Sequence, residues 1–165
     1  MTVTLNDVGL RYDKEFVFKK LNYQFESDNC YALLGPNGSG KSSLMKVISS
    51  FVTPSKGEVL YKSDGNAIKE DLIYKEISYS APYIELIEEF KLIELIDFQK
   101  QFKSFQNDIS SSEVLEILEL GNQASKFITD FSSGMKQRLK LGLSILSDTS
   151  LLLLDEPATN LDNKG

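Results

Sequence analysis

An α/β fold with a parallel core sheet is what the sequence predicts, on three observations. Residues 151–154 are four consecutive leucines, followed directly by Asp155 and Glu156. An unbroken apolar run of that length fits a strand buried on both faces, which is the habit of parallel sheets. Residues 31–34, Tyr-Ala-Leu-Leu, form a second short apolar run, and a glycine-rich stretch follows them. Behind that stretch Leu44, Val47, Ile48 and Phe51 recur at helical spacing over 43–51. The local order is therefore strand, loop, helix.

Taken in order, residues 2–12 and 20–26 alternate roughly as half-buried strands do, with Leu21, Tyr23 and Phe25 on one face. Asp28 and Asn29 turn the chain into the run at 31–34. Cys30 is the single cysteine, so no intrachain disulfide exists and a reducing compartment fits. Its place before an apolar strand predicts a small core side chain. After the first helix, residues 53–57 make a turn, 58–62 a strand, and 64–66 a second turn. Residues 74–79 contain another short strand. From 87 to 102 the period becomes helical, with Phe90, Ile93 and Asp97 on one side and Glu88, Glu89, Lys91 and Glu94 on a wet one. Ser110 and Glu113 form a capping-box pair, and the helix they open runs through Leu115 and Leu118 until Gly121 closes it. A mostly helical stretch, about 87–147, thus separates two β-containing parts.

The loop at 35–43 carries the most specific chemistry. Gly35, Gly40, Lys41 and Ser42 fit G-x-x-x-x-G-K-[ST], the phosphate-binding P-loop. Its glycines let the backbone form a nest of inward N–H groups, and the helix N-terminus adds partial positive charge at the same spot. Lys41 is expected to bridge the β- and γ-phosphates and the Ser42 hydroxyl to hold Mg²⁺. Asp155, at the tip of a buried strand, is the expected second Mg²⁺ ligand. Glu156 leaves the sheet immediately afterwards, so its carboxylate can face a water for attack on the γ-phosphate.

Composition sets the background. At 165 residues, 41% hydrophobic and 25% charged, the chain is expected to be one ordinary soluble domain. A net charge of −6 argues against non-specific binding of nucleic acid or an acidic membrane surface. No apolar run approaches transmembrane length and no secretory leader pattern opens the chain, so a cytoplasmic location is expected.

Three motifs together resemble the nucleotide-binding domain of ABC (ATP-binding cassette) ATPases, and the likeness covers almost the whole chain. They are residues 35–43, residues 131–138 (Phe-Ser-Ser-Gly-Met-Lys-Gln-Arg) and residues 151–162. The middle one resembles the family signature, usually Leu-Ser-Gly-Gly-Gln at the start of a helix. The fold implied is a P-loop NTPase with a parallel core sheet, an N-terminal antiparallel β region and the helical subdomain at about 87–147. The resemblance assigns ATP to Gly35, Pro36, Asn37, Gly38, Ser39, Gly40, Lys41, Ser42 and Ser43. Ser132 and Gly134 would form a second anion site, facing the γ-phosphate held by the opposite subunit of a head-to-tail dimer. Tyr12, 23 residues before Gly35, matches the aromatic position that stacks on adenine, with Val17 flanking the base. Residues 158–162 resemble the D-loop.

The sequence departs from the family at several points. The usual glutamine falls in register on Pro82, which has neither a carboxamide nor an N–H, and the sequence leaves open whether Tyr83 or a nearby carbonyl substitutes for it. Ser133 and Met135 replace a glycine and a glutamine of the signature. The chain contains no histidine, so the family's switch histidine has no counterpart in it. These 165 residues are accordingly expected to be part of a longer polypeptide, and on their own to be poorly stable and slow in turnover. The function implied is ATP binding and hydrolysis that powers a membrane transporter through a separate membrane-spanning subunit. That places the chain on the inner face of the membrane, without nucleic acid as a partner. The alternative is a soluble ABC protein acting on nucleic acid or the ribosome, or a nucleotide-gated binding module with low turnover.

Overall fold

The computed structural model describes residues 1–159, which fall into two compact units, 1–74 and 75 onward. In the first unit, strands β1 (Thr2–Tyr12), β2 (Glu15–Phe25), β3 (Lys56–Ser63) and β4 (Asn66–Ala67) form an antiparallel sheet in the order β2-β1-β3-β4. Helix α1 (Lys41–Ile48) belongs to the same unit. A one-turn helix, α2 (Ile73–Glu76), leads into β5 (Ile77–Ser80). In the second unit, helices α3 (Leu92–Phe102), α4 (Ser111–Ile117) and α5 (Ser133–Leu146) lie between β5 and β6 (Leu151–Leu154). Strands β5 and β6 pair in parallel from Ile77 opposite Leu151 to Ser80 opposite Leu154. The expected class is therefore present: an antiparallel N-terminal sheet, a parallel pair and a helical region between its strands.

β1 shows how sequence becomes packing. Val3 and Leu5 point inward at odd positions, yet Val8 and Leu10 are equally buried at even ones. A strict two-residue period would send one of those pairs to solvent. The register shifts against both neighbours between Leu5 and Gly9, where Asp7 takes a left-handed φ of 49° and its N–H donates to the Asn22 side chain at 2.8 Å. This bulge resets the alternation and keeps all four side chains in the core. It passes so close to Gly57 that a Cβ there would lie 2.2 Å from the Asn6 carbonyl oxygen. Only glycine fits.

The helical region has its own core, in which Leu92, Ile96, Phe105, Val114, Ile128 and Leu139 are almost fully buried. The capping box at Ser110 forms as expected: its hydroxyl accepts from the Glu113 N–H at 3.2 Å, and the Glu113 carboxylate accepts from the Ser110 N–H at 2.7 Å. α4 ends at Ile117, before the expected glycine stop at Gly121. α3 starts at Leu92 rather than near 87, and it buries Leu92, Leu95 and Ile96 instead of a face centred on Phe90, Ile93 and Asp97. Both triplets fit a helical period; packing against α4 selects the one without a carboxylate.

Other expectations are corrected. Residues 31–34 form no strand, and Leu34 is 91% exposed. An apolar run becomes a strand only where another strand supplies backbone partners, and this run has no ladder partner among the described residues. Instead Tyr31 folds back: its hydroxyl accepts from the Glu26 N–H at 2.9 Å and its ring meets Phe25 edge-on at 5.1 Å. Cys30, in the same extended segment, is exposed rather than in the core. Phe51 lies outside α1 and is exposed, because Ser50 takes φ 62° and turns the chain away after the helix. The short strand expected within 74–79 does form, as β5 (Ile77–Ser80). β6 is not buried on both faces: with β5 as its partner, Leu152 stays 39% exposed.

Tyr61 joins sheet to helix within the first unit. Its hydroxyl donates at 3.0 Å to the Ile48 carbonyl and lies 3.3 Å from that of Val47, at the end of α1 where helix carbonyls lack internal partners. Burial, with the Glu70 charge second, raises the phenol above its ordinary value. The folded chain therefore keeps this proton where the unfolded chain loses it. The stabilisation is whole below about pH 10 and fades as the pH rises beyond it. Tyr61→Phe is expected to cost about 1–2 kcal/mol at neutral pH and to flatten the loss of stability above about pH 10. Denaturant unfolding at both pH values measures it; equal midpoints for the two proteins at neutral pH would remove Tyr61 from this role.

Candidate functional site

The glycine-rich loop lies in the first unit. Gly38 and Gly40 take φ of 80° and 93°, left-handed values that glycine adopts without strain. Gly40 is the N-cap of α1 and offers no side chain to the helix amides. The first intrahelical bond runs from the Leu44 N–H to the Gly40 carbonyl at 2.8 Å, which leaves the amides of Lys41, Ser42 and Ser43 at the helix mouth. No acidic residue stands in that first turn. Loop residues Gly35, Pro36, Asn37, Gly38 and Ser39 are exposed, and the Ser39 N–H donates to the Pro36 carbonyl at 3.2 Å. The Lys41 ammonium folds over its own loop and donates to the Gly35 and Pro36 carbonyls, both at 2.9 Å. Oriented amides, the helix dipole and a cation thus converge on a place suited to a phosphate chain.

Val17, on β2, packs against this mouth: a Cβ added to Gly40 would lie 2.7 Å from its Cγ1. The geometry brings Val17 to the loop. Tyr12 is half exposed at the end of β1, opposite Glu15 across the hairpin, and its ring is available for stacking.

The two carboxylates lie in the second unit, at the end of β6, and they part company there. Asp155 is 5% exposed. Its N–H donates to the Ser80 carbonyl at 2.9 Å, extending the parallel ladder by one bond. One carboxylate oxygen accepts a long bond from the Tyr83 hydroxyl at 3.4 Å, and the Tyr83 hydroxyl is also bonded to that of Tyr79. Burial, then the bond to Tyr83 and its charge and that of Asp155, push the Tyr79 phenol well up, so it stays neutral. Glu156 is exposed and takes φ 47°, a left-handed turn that swings it off the strand axis. Its carbonyl accepts from the Thr159 N–H at 3.1 Å and its carboxylate from the Thr159 hydroxyl at 3.3 Å.

A divalent metal fits one of these groups well. A buried carboxylate with one long donor among the described residues is short of positive partners, and hard oxygen ligands are what Mg²⁺ takes. Among the described residues no cluster of three or more His, Cys, Asp or Glu could hold a metal alone. A Mg²⁺ held through Asp155 would complete its shell with oxygens from other donors and water.

α5 opens on Ser132, whose hydroxyl accepts from the Met135 N–H at 3.2 Å. Ser132 is therefore a helix cap here, and Gly134 sits in the first turn, where amides have no intrahelical partner. Gln137, one turn on, is 2% exposed and donates to the Pro157 carbonyl at 3.1 Å, tying α5 to the turn after Glu156. Its partner lies 20 residues away, so nothing local in the sequence announced it. Tyr83 is one of two candidates to stand in for the glutamine absent at Pro82; its bond to Asp155, 72 residues away, is what the sequence did not show. Pro82 presents only its carbonyl, 3.3 Å from the Lys140 ammonium. Of residues 158–162, expected to resemble a D-loop, 160–162 lie outside the described residues.

Comparison with known proteins agrees with this geometry. The family model described as ABC transporter matches residues 18–159. The chain is 30% identical over 163 residues to the uncharacterized ABC transporter ATP-binding protein YcbN of Bacillus subtilis (strain 168), covering 99% of this chain and 53% of that protein. It is 32% identical over 165 residues to Nod factor export ATP-binding protein I of Rhizobium meliloti (strain 1021), covering 98% of this chain and 49% of that one. The chain thus spans about half the length of these curated relatives. A solved ATP-binding subunit of an ABC transporter superposes with a TM-score of 0.81 at 24% identity, over 99% of this chain and 69% of the other, a likeness of fold.

The cap on α5 yields a direct expectation. Ser132→Ala should destabilise the second unit by about 1 kcal/mol, and Ser132→Asn should restore most of that loss. Chemical denaturation followed by circular dichroism reads both. An alanine variant as stable as its parent would mean that the bond to Met135 contributes nothing to the helix.

Proposed function

Because this chain belongs to the ABC transporter family, we propose that it binds ATP with Mg²⁺ and hydrolyses it, as the energy-supplying subunit of a membrane transporter. The observation that carries the reading is the mouth of α1: a glycine cap, free amides, no acid in the first turn, and Lys41 held over the loop by two carbonyls. Such a mouth has little use other than an anion rich in phosphate oxygens.

Each residue then has a task. Gly35, Pro36, Asn37, Gly38, Ser39 and Gly40 wrap the phosphates with backbone amides. Lys41 exchanges its two carbonyl partners for β- and γ-phosphate oxygens. Ser42 and Asp155 are the proposed metal ligands, with Ser43 supplying a further amide at the mouth; the metal, when bound, neutralises phosphate charge. Tyr12 stacks on the adenine and Val17 flanks it. Glu156, exposed on its left-handed turn, orients the attacking water and takes its proton. Ser132 and Gly134 cap the γ-phosphate of a second subunit in a head-to-tail dimer. The whole chain serves as one ATP-binding domain with its helical subdomain at about 87–147.

The membrane-spanning part is assigned to a separate subunit, docked through the segment after Pro82, which holds this chain at the inner face of the membrane. Among the described residues no helix is long and apolar enough to cross a bilayer. The export role in the name of the Rhizobium relative supports coupling to transport.

Two variants test the reading in the whole protein. Lys41→Ala should weaken ATP binding at least about tenfold, roughly 1.4 kcal/mol, as measured by calorimetric titration. Equal dissociation constants would end the case for the loop. Glu156→Gln keeps size and polarity but loses the base, so it should bind ATP as its parent does and hydrolyse it at least about a hundredfold more slowly. Unchanged single-turnover hydrolysis would move the base elsewhere.

A further inference from the structure

We propose that Tyr83 is a positioning residue for the metal: its hydroxyl fixes the Asp155 carboxylate in the orientation that takes Mg²⁺. The inference rests on the metal role proposed for Asp155 and names a device that the motif pattern does not contain. At the position where the family pattern has a carboxamide stands Pro82, which offers no side-chain donor or acceptor. The next residue sends a phenol to the same strand end. The Tyr83 hydroxyl lies 3.4 Å from one oxygen of Asp155, and the other oxygen accepts no hydrogen bond among the described residues.

The surroundings leave that carboxylate few alternatives. Its backbone is pinned by the bond from its N–H to the Ser80 carbonyl, so the side-chain torsions are its remaining freedom. With one oxygen engaged by the phenol, the other is left to a cation. The phenol is itself held. Tyr79, on β5, bonds it hydroxyl to hydroxyl, and the two rings meet nearly at right angles, 6.2 Å between centroids. A strand residue thus braces a loop residue, which braces the carboxylate. Groups that orient a ligating carboxylate typically raise metal affinity tenfold or more; the length of this bond places Tyr83 at the low end.

The test is a titration with Mn²⁺ as a spectroscopically visible stand-in for Mg²⁺, on the whole protein with bound ATP, free Mn²⁺ being read by electron paramagnetic resonance. Tyr83→Phe keeps the ring and removes the hydroxyl. It should weaken Mn²⁺ binding about three- to tenfold while leaving ATP affinity in excess chelator unchanged. Tyr79→Phe, one step further out, should weaken Mn²⁺ in the same direction by less, and it serves equally if Tyr83→Phe does not fold. A ring that merely fills space predicts no change in Mn²⁺ affinity for either variant, and that result overturns the proposal. Equal losses of Mn²⁺ and metal-free ATP affinity overturn it too, because they signal general damage. Asp155→Asn separates the two levels. If it binds Mn²⁺ as well as the parent, the metal role of Asp155 itself fails; if it binds poorly while both phenylalanine variants bind normally, only the role of Tyr83 falls.

Discussion

The parallel ladder between β5 and β6 is the constraint on which the second unit depends. Parallel neighbours cannot be joined by a tight turn; the chain must leave one strand end and return to the opposite end of the next. Here the return takes everything between Ser80 and Leu151, and three helices with their own buried core occupy it. A two-stranded ladder of four residues each would not persist alone. The helices grip it at both ends. The Lys103 ammonium donates at 2.5 Å to the Ile77 carbonyl, and the Lys140 ammonium reaches those of Ala81 and Pro82. Lys103 accepts a partly desolvated site for this, and burial lowers its pKa. What the arrangement secures is the place of one carboxylate. Asp155 adds the next bond of the ladder, so its position follows from the pairing of the strands rather than from a flexible loop.

Much of this was legible in the sequence, for physical reasons. The loop and α1 were readable because their chemistry is local: a glycine cap, a lysine and a serine act within one turn of each other. The capping box of Ser110 and Glu113 was readable for the same reason. β1 was readable as a strand, but its change of parity was not. That change depends on Asp7 entering a left-handed conformation against Asn22 and on Gly57 leaving room for it, contacts made across the sheet.

Where the reading failed, it had treated an apolar run as though burial were a property of the run. Residues 30–34 are apolar yet exposed, apart from the half-buried Leu33, because burial belongs to a pair of surfaces and this segment has no ladder partner among the described residues. In α3 the sequence carried two stripes of equal period, and only the neighbouring helices could choose between them. Gln137 falls in a third class. It is polar and placed by the Pro157 carbonyl, 20 residues away, so no local period could have marked it. The gap at Pro82 was visible, and so was Tyr83 as one candidate to fill it; its bond to Asp155, 72 residues on, was not.

The Lys41 ammonium, closed over the Gly35 and Pro36 carbonyls, gives the free loop a property of its own. The loop is already ligated by its own backbone, so an entering anion competes with two tethered carbonyls instead of filling a vacant cation site. A singly charged ion such as chloride has little to offer in that contest, while a triphosphate presents several charged oxygens at once. The same fold-back keeps the ammonium from pairing at random with other carboxylates in the free state. Under the proposed nucleotide-binding role, selectivity for polyphosphate over the simple anions that surround it in far greater number would begin in the resting loop, before any nucleotide has arrived.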